Sequence, residues 1–219
     1  MESDIILAIK YKQRAKKMKL YLIPFNAEAK VLTAILPNCR KAPNNLFKNR
    51  WEYKGGEVIS WNEVGTKAIY EVIQKIGDFE KYSSVTLFGS AGSLAPDLQL
   101  GEIFCCTTIK DLDDNSWQMQ SLEGFKPNSL LTTPELIFDN NKRMEYFKKY
   151  DTKLVDMEAS IFADLSNKGF FKKAETYIIR FVSDNYEVLP PFDLAKNSYT
   201  ESFLKVVNKE IIKYRKTLV

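Results

Sequence analysis

Three short segments, far apart in the chain, carry the side chains best suited to chemistry. They are the small-residue segment 89–94, the segment 155–159 with its two carboxylates, and the segment 180–185 with an arginine and a further carboxylate. Each lies where an apolar, strand-like run meets a loop or a helix start, and ligands of open α/β sheets bind at the carboxyl ends of such strands. A small-residue loop with two fixed carboxylates suits a neutral sugar that carries a basic leaving group.

The absence of histidine restricts the chemistry more than any other feature of the composition. The chain has none among its 219 residues. This excludes Ser-His-Asp and Cys-His catalytic devices and the usual imidazole ligands of metals. Acid–base chemistry therefore falls to carboxylates, tyrosines, lysines or cysteines.

The overall charge does not favour nucleic acid as a partner. The net charge is only +4, and much of the basic excess lies in the run from Lys10 to Lys19. A run of this kind is usually a solvated face or tail, and no recognised nucleic-acid-binding module accompanies it. With 45% hydrophobic residues, the chain can bury the core of one domain of ordinary size.

The cysteines indicate a reduced, cytoplasmic protein. Their number is odd, and Cys105 and Cys106 are adjacent, so in a strand they would point to opposite faces. This pattern does not favour a disulfide framework. We find no apolar run long enough to span a membrane, and the first residues do not read as a signal peptide because their basic residues follow the apolar run.

Strand and helix signals alternate along the chain, which predicts an α/β fold with a mainly parallel or mixed sheet. Apolar residues at helical spacing between Val64 and Ile76 predict a helix that Gly77 ends. We expect strands at 18–24, 84–88, 102–109, 153–155 and 176–182. We expect helices at 27–36, 62–76, 140–150, 157–168 and 200–216. The regions 37–50 and 110–128 are expected to be loops. Pro190 and Pro191 are expected to break the chain.

The residues from Gly89 to Glu102 form a longer and more specific pattern. Alone, the first four fit an ordinary tight turn, but the string Gly-Ser-Ala-Gly-Ser-Leu-Ala-Pro-Asp-Leu-Gln-Leu-Gly-Glu closely resembles the signature of the nucleoside phosphorylase/nucleosidase superfamily. The segments 155–159 and 180–185 match as well. The chain is most similar to the 5′-methylthioadenosine/S-adenosylhomocysteine nucleosidases.

The resemblance carries expectations about architecture. It implies a three-layer α/β/α nucleoside-phosphorylase-type fold with a central mixed sheet, no metal or organic cofactor, and a homodimer. It begins near Met18, so it implies a single domain at 18–219 preceded by a basic N-terminal extension at 1–17. The chain departs from the family at Asp156, where glutamate is more usual, and in the region 110–128, which is shorter and in the family helps to form the subunit interface and the nucleoside pocket.

The resemblance also implies roles for residues of the matching segments. Glu158 would hold the ribose hydroxyls and support the positive charge that builds on the sugar, with Met157 against the sugar's apolar face. Asp184, next to Ser183, would bond the purine ring and supply a proton to the leaving base. Arg180 would help to position the nucleophile. In isolation, the Ser183–Asp184 pair is more typical of a turn or a helix cap.

The remaining expected site residues come from three places. Glu28 matches the glutamate that activates the attacking water if one residue is inserted in the turn before it; without the resemblance it reads as an exposed helix glutamate. The small-residue loop contributes Ser90, Ala91 and Gly92. Ile137 and Phe138 are assigned, by position only, to the place where the family holds the base.

The choice between water and phosphate as nucleophile depends on charge. Phosphate is anionic and favours backbone amides with arginine or lysine, whereas water needs a carboxylate base. Segment 60–65 has few glycines and a bulky Trp61, and Glu63 would repel phosphate if it pointed inward, as would Glu28. These features favour a purine nucleosidase acting on a small-molecule nucleoside. A phosphate-dependent phosphorylase and a catalytically silent nucleoside-binding protein stay open as alternatives.

Overall fold

The computed structural model describes residues 18–43, 46–47, 49–188, 192–193 and 198–219. The predicted basic extension at 1–17 and the expected break at Pro190 and Pro191 lie outside the described residues.

Strands and helices alternate along the described chain. The strands are β1 (Met18–Ile23), β2 (Arg40–Lys41), β3 (Asn49–Tyr53), β4 (Gly56–Ser60), β5 (Tyr82–Ser93), β6 (Ile103–Asp111), β7 (Ser116–Gln118), β8 (Lys126–Thr132), β9 (Leu154–Asp156), β10 (Glu175–Asp184), β11 (Phe192–Asp193) and β12 (Ser198–Tyr199). The helices are α1 (Asn26–Thr33), α2 (Thr66–Ile76), α3 (Asn140–Tyr150), α4 (Ala159–Asn167), α5 (Glu201–Ile211) and α6 (Arg215–Leu218), with a 3₁₀ turn at Ile212–Tyr214 between the last two.

The main sheet is mixed, as predicted, and part of it closes on itself. Strands β4, β1, β5 and β10 lie side by side and run parallel. Beyond β10 the sheet continues through antiparallel β6 and then β8 and β9, and β9 pairs antiparallel with β5. The ring β5–β10–β6–β8–β9 therefore replaces the open edge that an ordinary doubly wound sheet would have at this side.

Helices cover both faces of the parallel strands, which gives the three predicted layers. In β1, Leu20 and Leu22 pack with the apolar residues of α2 and α4, whereas Tyr21 and Ile23 pack with those of α1 and α5. Successive side chains of a strand point to opposite faces, so a strand covered on both faces must be apolar at nearly every position. This explains the apolar run Leu20–Ile23 in β1 and the nearly continuous burial of β5 and β10.

The predicted loops contain strands that the sequence did not indicate. The region 37–50 includes β2 and the start of β3, and 110–128 includes β7 and the start of β8. β2, β3 and β7 have mostly half-buried or exposed side chains, so backbone pairing defines them and hydrophobic periodicity does not. No helix among the described residues is both long enough and apolar enough to cross a membrane.

Candidate active site

Glu28 lies in the first turn of α1, directly after β1, and reaches the end of β5. Its Oε1 accepts hydrogen bonds from the amide of Ser90 at 2.8 Å and from the Ser90 hydroxyl at 2.6 Å. Its Oε2 accepts from the amide of Phe25 at 3.1 Å, so the carboxylate also caps the helix. The side chain is buried rather than exposed, and this burial raises the pKa of Glu28 despite the hydrogen bonds and the nearby Arg180.

Arg180 is fully buried in β10, on the same face of the strand as Ile178 and Val182. Its Nε and Nη2 donate to Oδ2 of Asp156 at 3.1 and 2.7 Å. Asp156 also accepts from the hydroxyl of Thr132 at 2.9 Å, so the ion pair is held at the carboxylate end too. The third guanidinium nitrogen, Nη1, is buried and has no hydrogen-bond partner among the residues that the structure describes.

The unpaired Nη1 and the Glu28 carboxylate meet at Gly89. Gly89 lies beside Arg180 in the register of β5 and β10. A methyl group placed on the Cα of Gly89 would lie 3.0 Å from Nη1 of Arg180 and 3.1 Å from Oε2 of Glu28. A side chain at this position would therefore intrude between an unused hydrogen-bond donor and a carboxylate. A buried donor without a partner is costly, so this is a place where a polar ligand would be stabilised.

Glu158 comes immediately before α4, as its N-cap residue, so the predicted helix begins two residues too early. Its Oε1 accepts from the amide of Gly65 at 2.8 Å, and its Oε2 lies 3.9 Å from Nη2 of Arg180. Burial, followed by the charge of Asp156, raises the pKa of Glu158 to about 7. The helix dipole alone would favour the ionised form, but burial and the like charge outweigh it here. Met157, before it, is half-buried.

Asp184 ends β10 and pairs in register with Gly92. Its Oδ1 accepts from the hydroxyl of Ser183 at 2.7 Å, and its Oδ2 accepts from Nη2 of Arg143. A methyl group on Gly92 would lie 3.0 Å from Oδ2. The absence of a side chain at Gly92 therefore lets β5 approach the Asp184 carboxylate closely.

Arg143 is a site residue that the sequence did not indicate. It lies in α3, whose charged sequence predicts a surface helix, yet its side chain is fully buried. Besides Asp184, it donates to the carbonyl of Ile137 at 3.0 Å and to that of Ser93 at 3.1 Å. No periodicity or motif distinguishes this arginine from the exposed lysines of the same helix.

Tyr199 is a second residue that sequence reasoning missed. Its hydroxyl shares a hydrogen bond with the side chain of Ser90, and burial raises its pKa well above the usual value. Its ring packs against Phe181 and Phe203. With 11 tyrosines in the chain and no motif around this one, nothing in the sequence singled it out.

The other predicted binding residues differ in burial and in the contacts that they make. Ser90 contacts Glu28 directly. Ala91 is buried in the core, and its carbonyl accepts from the hydroxyl of Ser183 at 3.3 Å. Ile137 is buried beside Arg143, whereas Phe138 is 47% exposed. The structure thus groups most of the predicted site around β1, β5 and β10.

Comparisons with known proteins identify the architecture. No protein-family model matches the chain, and no curated protein matches its sequence. The solved 5′-methylthioadenosine/S-adenosylhomocysteine nucleosidase of Campylobacter jejuni matches with a TM-score of 0.68 and 14% identity, over 92% of this chain and 98% of that chain. The chain has the fold of these nucleosidases.

Further solved structures support the nucleosidase fold. The S. pneumoniae nucleosidase, solved with a transition-state inhibitor, matches with a TM-score of 0.67 and 15% identity. The match covers 92% of this chain and all of that chain. A futalosine hydrolase mutant of Helicobacter pylori matches with a TM-score of 0.64 and 13% identity, over 92% and 98% of the two chains. The resemblance read from the sequence and the likeness in structure therefore agree on the nucleosidase fold.

Proposed function

We propose that this chain is a purine nucleosidase that hydrolyses the N-glycosidic bond of a nucleoside related to methylthioadenosine or S-adenosylhomocysteine. The observation that carries the proposal is the meeting of the unpaired Arg180 Nη1 and the buried Glu28 carboxylate at Gly89. A donor and a basic acceptor facing one small space are what a single attacking water needs. Carboxylates for the sugar and the base lie close by: Glu158 follows β9 and Asp184 ends β10, and both strands pair with β5.

In the proposed reaction, Glu28 is the general base. The water oxygen accepts a hydrogen bond from Arg180 Nη1 and attacks the anomeric carbon while its proton passes to Glu28. The glycosidic C–N bond breaks, and its electron pair goes to the base nitrogen. A raised pKa suits Glu28 to this role, because a general base works best when its pKa lies near the operating pH.

Glu158 is proposed to hold the ribose. Gly65 fixes one carboxylate oxygen, and the other remains available for a vicinal diol. When the glycosidic bond breaks, positive charge develops on the sugar, and an ionised carboxylate in a buried site stabilises that charge strongly. Met157, directly before it, would supply apolar contact to the sugar ring.

Asp184 is proposed to bond the purine ring and supply the proton that makes the base a better leaving group. Its carboxyl group is oriented by Ser183 and Arg143 and packs closely against Gly92 at the end of β5. Ile137 and Phe138 would lie along the base. The Helicobacter pylori and Streptococcus pneumoniae nucleosidases were solved with nucleoside-analogue inhibitors, which supports a nucleoside as the small-molecule ligand here.

Water rather than phosphate fits the charges around the nucleophile position. Glu28, Asp156 and Glu158 surround the single guanidinium of Arg180, so a phosphate dianion would meet repulsion. The Gly65 amide, which could otherwise bind phosphate at the start of α2, already donates to Glu158. Glu63 is exposed, so it plays no part in this repulsion.

We also propose that the protein works in the cytoplasm as a homodimer. Cys105 and Cys106 are buried and unpaired, in keeping with a reducing compartment. Leu136 and Phe138 are exposed apolar residues beside the expected base position. A second subunit that covers them would also exclude water from the nucleoside.

A panel of nucleosides tests the proposed activity. The purified chain is incubated with methylthioadenosine, S-adenosylhomocysteine, adenosine and inosine, and the released base is quantified by chromatography. We expect release from at least one purine nucleoside. Tight binding without any release would instead identify a catalytically silent nucleoside-binding protein.

Gly89→Ala tests the position assigned to the attacking water. The new methyl group would lie within 3.0–3.2 Å of Arg180 Nη1 and both oxygens of Glu28, and hydrogen bonds restrain both side chains. We expect kcat to fall by about 10²-fold, the loss typical of a misplacement near 1 Å, with a smaller change in KM. A folded variant, verified by its Tm, with unchanged kcat would show that water does not bind at Gly89.

Glu158 should make nucleoside binding depend on pH. Because its pKa is raised to about 7, the carboxyl group is protonated below that value and becomes a full acceptor for the diol above it. We expect the affinity for formycin A, a C-nucleoside that cannot be hydrolysed, to rise as the pH increases through about 7. Calorimetry between pH 5.5 and 8.5, in steps set around that midpoint, measures the rise. A Glu158→Gln variant with the same pH dependence would contradict the assignment.

A further inference from the structure

Arg143 connects three segments that form the base side of the candidate site. Its guanidinium donates to the carbonyl of Ile137, which follows β8, to the carbonyl of Ser93 at the end of β5, and to the carboxyl group of Asp184 at the end of β10. The side chain is 0% exposed. One buried group thus fixes the relative positions of three chain segments that are distant in sequence.

The shape of the guanidinium makes this connection specific. Its donors lie in one plane in a rigid fork, so Nε, Nη1 and Nη2 can each serve a different acceptor at once. A lysine would carry the same charge but concentrates its donors at one atom. The plane of Arg143 therefore determines the orientation of the Asp184 carboxyl group, together with Ser183 on the other oxygen.

A purely structural ion pair is the alternative, and the chain contains one for comparison. Arg50 donates through Nε to Glu57 at 2.6 Å, and Glu57 is as buried as the site carboxylates. Glu57 pairs in register with Leu20 near the start of β1, at the end of the sheet away from Glu28. Arg50 binds only carboxylates among the described contacts, whereas Arg143 also holds the backbone on which the base is expected to lie.

The geometry points to Arg143 as a positioning residue for the departing base. This inference rests on the proposed nucleosidase function and adds to it. When the O–H bond of Asp184 breaks and an N–H bond forms on the base, a carboxylate is left behind, and Arg143 already donates to the oxygen that would carry its charge. Arg143 also donates to the carbonyl of Ile137, in the segment along which the base is expected to lie. The base and its proton donor therefore keep a fixed relative position.

The test compares two leaving groups in Arg143→Met and Arg143→Lys. A purine nucleoside needs a positioned proton donor, whereas a nitrophenyl riboside carries a leaving group that needs none. We expect kcat/KM for the purine nucleoside to fall by about 10²-fold in both variants, as for a misplaced catalytic group. Turnover of the nitrophenyl riboside should change by less than about threefold. Arg50→Met is the matched control and should leave the ratio of the two substrates unchanged.

Two outcomes would overturn the inference. If both substrates lose activity equally in a folded Arg143→Lys variant, Arg143 has only a structural role; if neither loses activity, it has no role in the reaction. If Arg143→Met does not fold, the lysine variant alone decides, because it keeps the buried charge paired.

Failure of the proposed function would be visible separately, as a wild-type protein that releases no base from any nucleoside. Binding of adenine, measured by calorimetry, then tests Arg143 alone. We expect Arg143→Lys to weaken that binding by about 10-fold, equivalent to about 1.4 kcal/mol. Unchanged adenine binding would refute the inference.

Discussion

Asp184→Asn is expected to lower the turnover of purine nucleosides by about 10²–10⁴-fold, the range for a lost general acid. Asparagine keeps the size of the side chain, and its single amide oxygen can still accept from Arg143 while its NH2 group faces the hydroxyl oxygen of Ser183, but it has no carboxyl proton to give. The reaction would then have to expel an unprotonated base. Steady-state kinetics with the best substrate of the nucleoside panel measures the loss.

A nitrophenyl riboside separates proton donation from binding at Asp184. Its leaving group departs without protonation, so the Asn variant should keep most of its activity on this substrate. Asp164→Asn, on the surface of α4 and paired with Lys168, serves as a control and should affect neither substrate. Equal losses on both substrates in Asp184→Asn would make Asp184 a binding or structural group, and the acid would have to be another residue of a chain without histidine.

Glu28→Gln is expected to slow hydrolysis by about 10²–10⁴-fold, the usual contribution of general base catalysis. Glutamine can still accept from Ser90, so the end of β5 should stay in place, but it cannot take a proton from water. Because Glu28 is assigned to the attacking water, and Glu158 and Asp184 to the sugar and the base, KM should change much less than kcat. Pre-steady-state and steady-state rates on the same nucleoside measure both parameters.

Glu57→Gln provides a matched control for Glu28. The two glutamates are equally buried, at 2% and 3% exposure, and both accept several hydrogen bonds. Glu57 lies at the other end of the parallel strands, so its substitution should alter stability without a specific loss of kcat. A Glu28→Gln variant with undiminished turnover would remove Glu28 from the mechanism and reopen the phosphorylase interpretation.

The sequence predicted the layered architecture because the central strands are covered on both faces. Buried strands such as β1 and β10 are rich in apolar and β-branched residues, and α2 carries a clear helical period that ends at Gly77. No comparable pattern of apolar residues in the sequence indicates the hairpin of β3 and β4 or the closure of the sheet through β9. β9 is three residues long, and its pairing with β5 depends on tertiary contacts that periodicity does not encode.

The sequence indicated candidate site residues in segments that match a family motif, and it gave no signal for residues that reach the same region only through tertiary packing. Glu158, Arg180 and Asp184 lie in segments with a recognisable order of residues, and the structure places them in or directly after β9 and β10, which both pair with β5. Arg143 and Tyr199 reach the site from α3 and β12, which have no motif. The raised pKa of Glu158 could not be read from the sequence either, because it results from burial and from the position of Asp156.

The phosphate dependence of base release tests the central claim most directly. The purified chain is incubated with its best nucleoside in phosphate-free buffer and in buffer with added phosphate, and the sugar product is identified by mass spectrometry. Hydrolysis by water held between Glu28 and Arg180 predicts equal rates in both buffers and free sugar as the product. Base release that requires phosphate and yields a sugar 1-phosphate would contradict it.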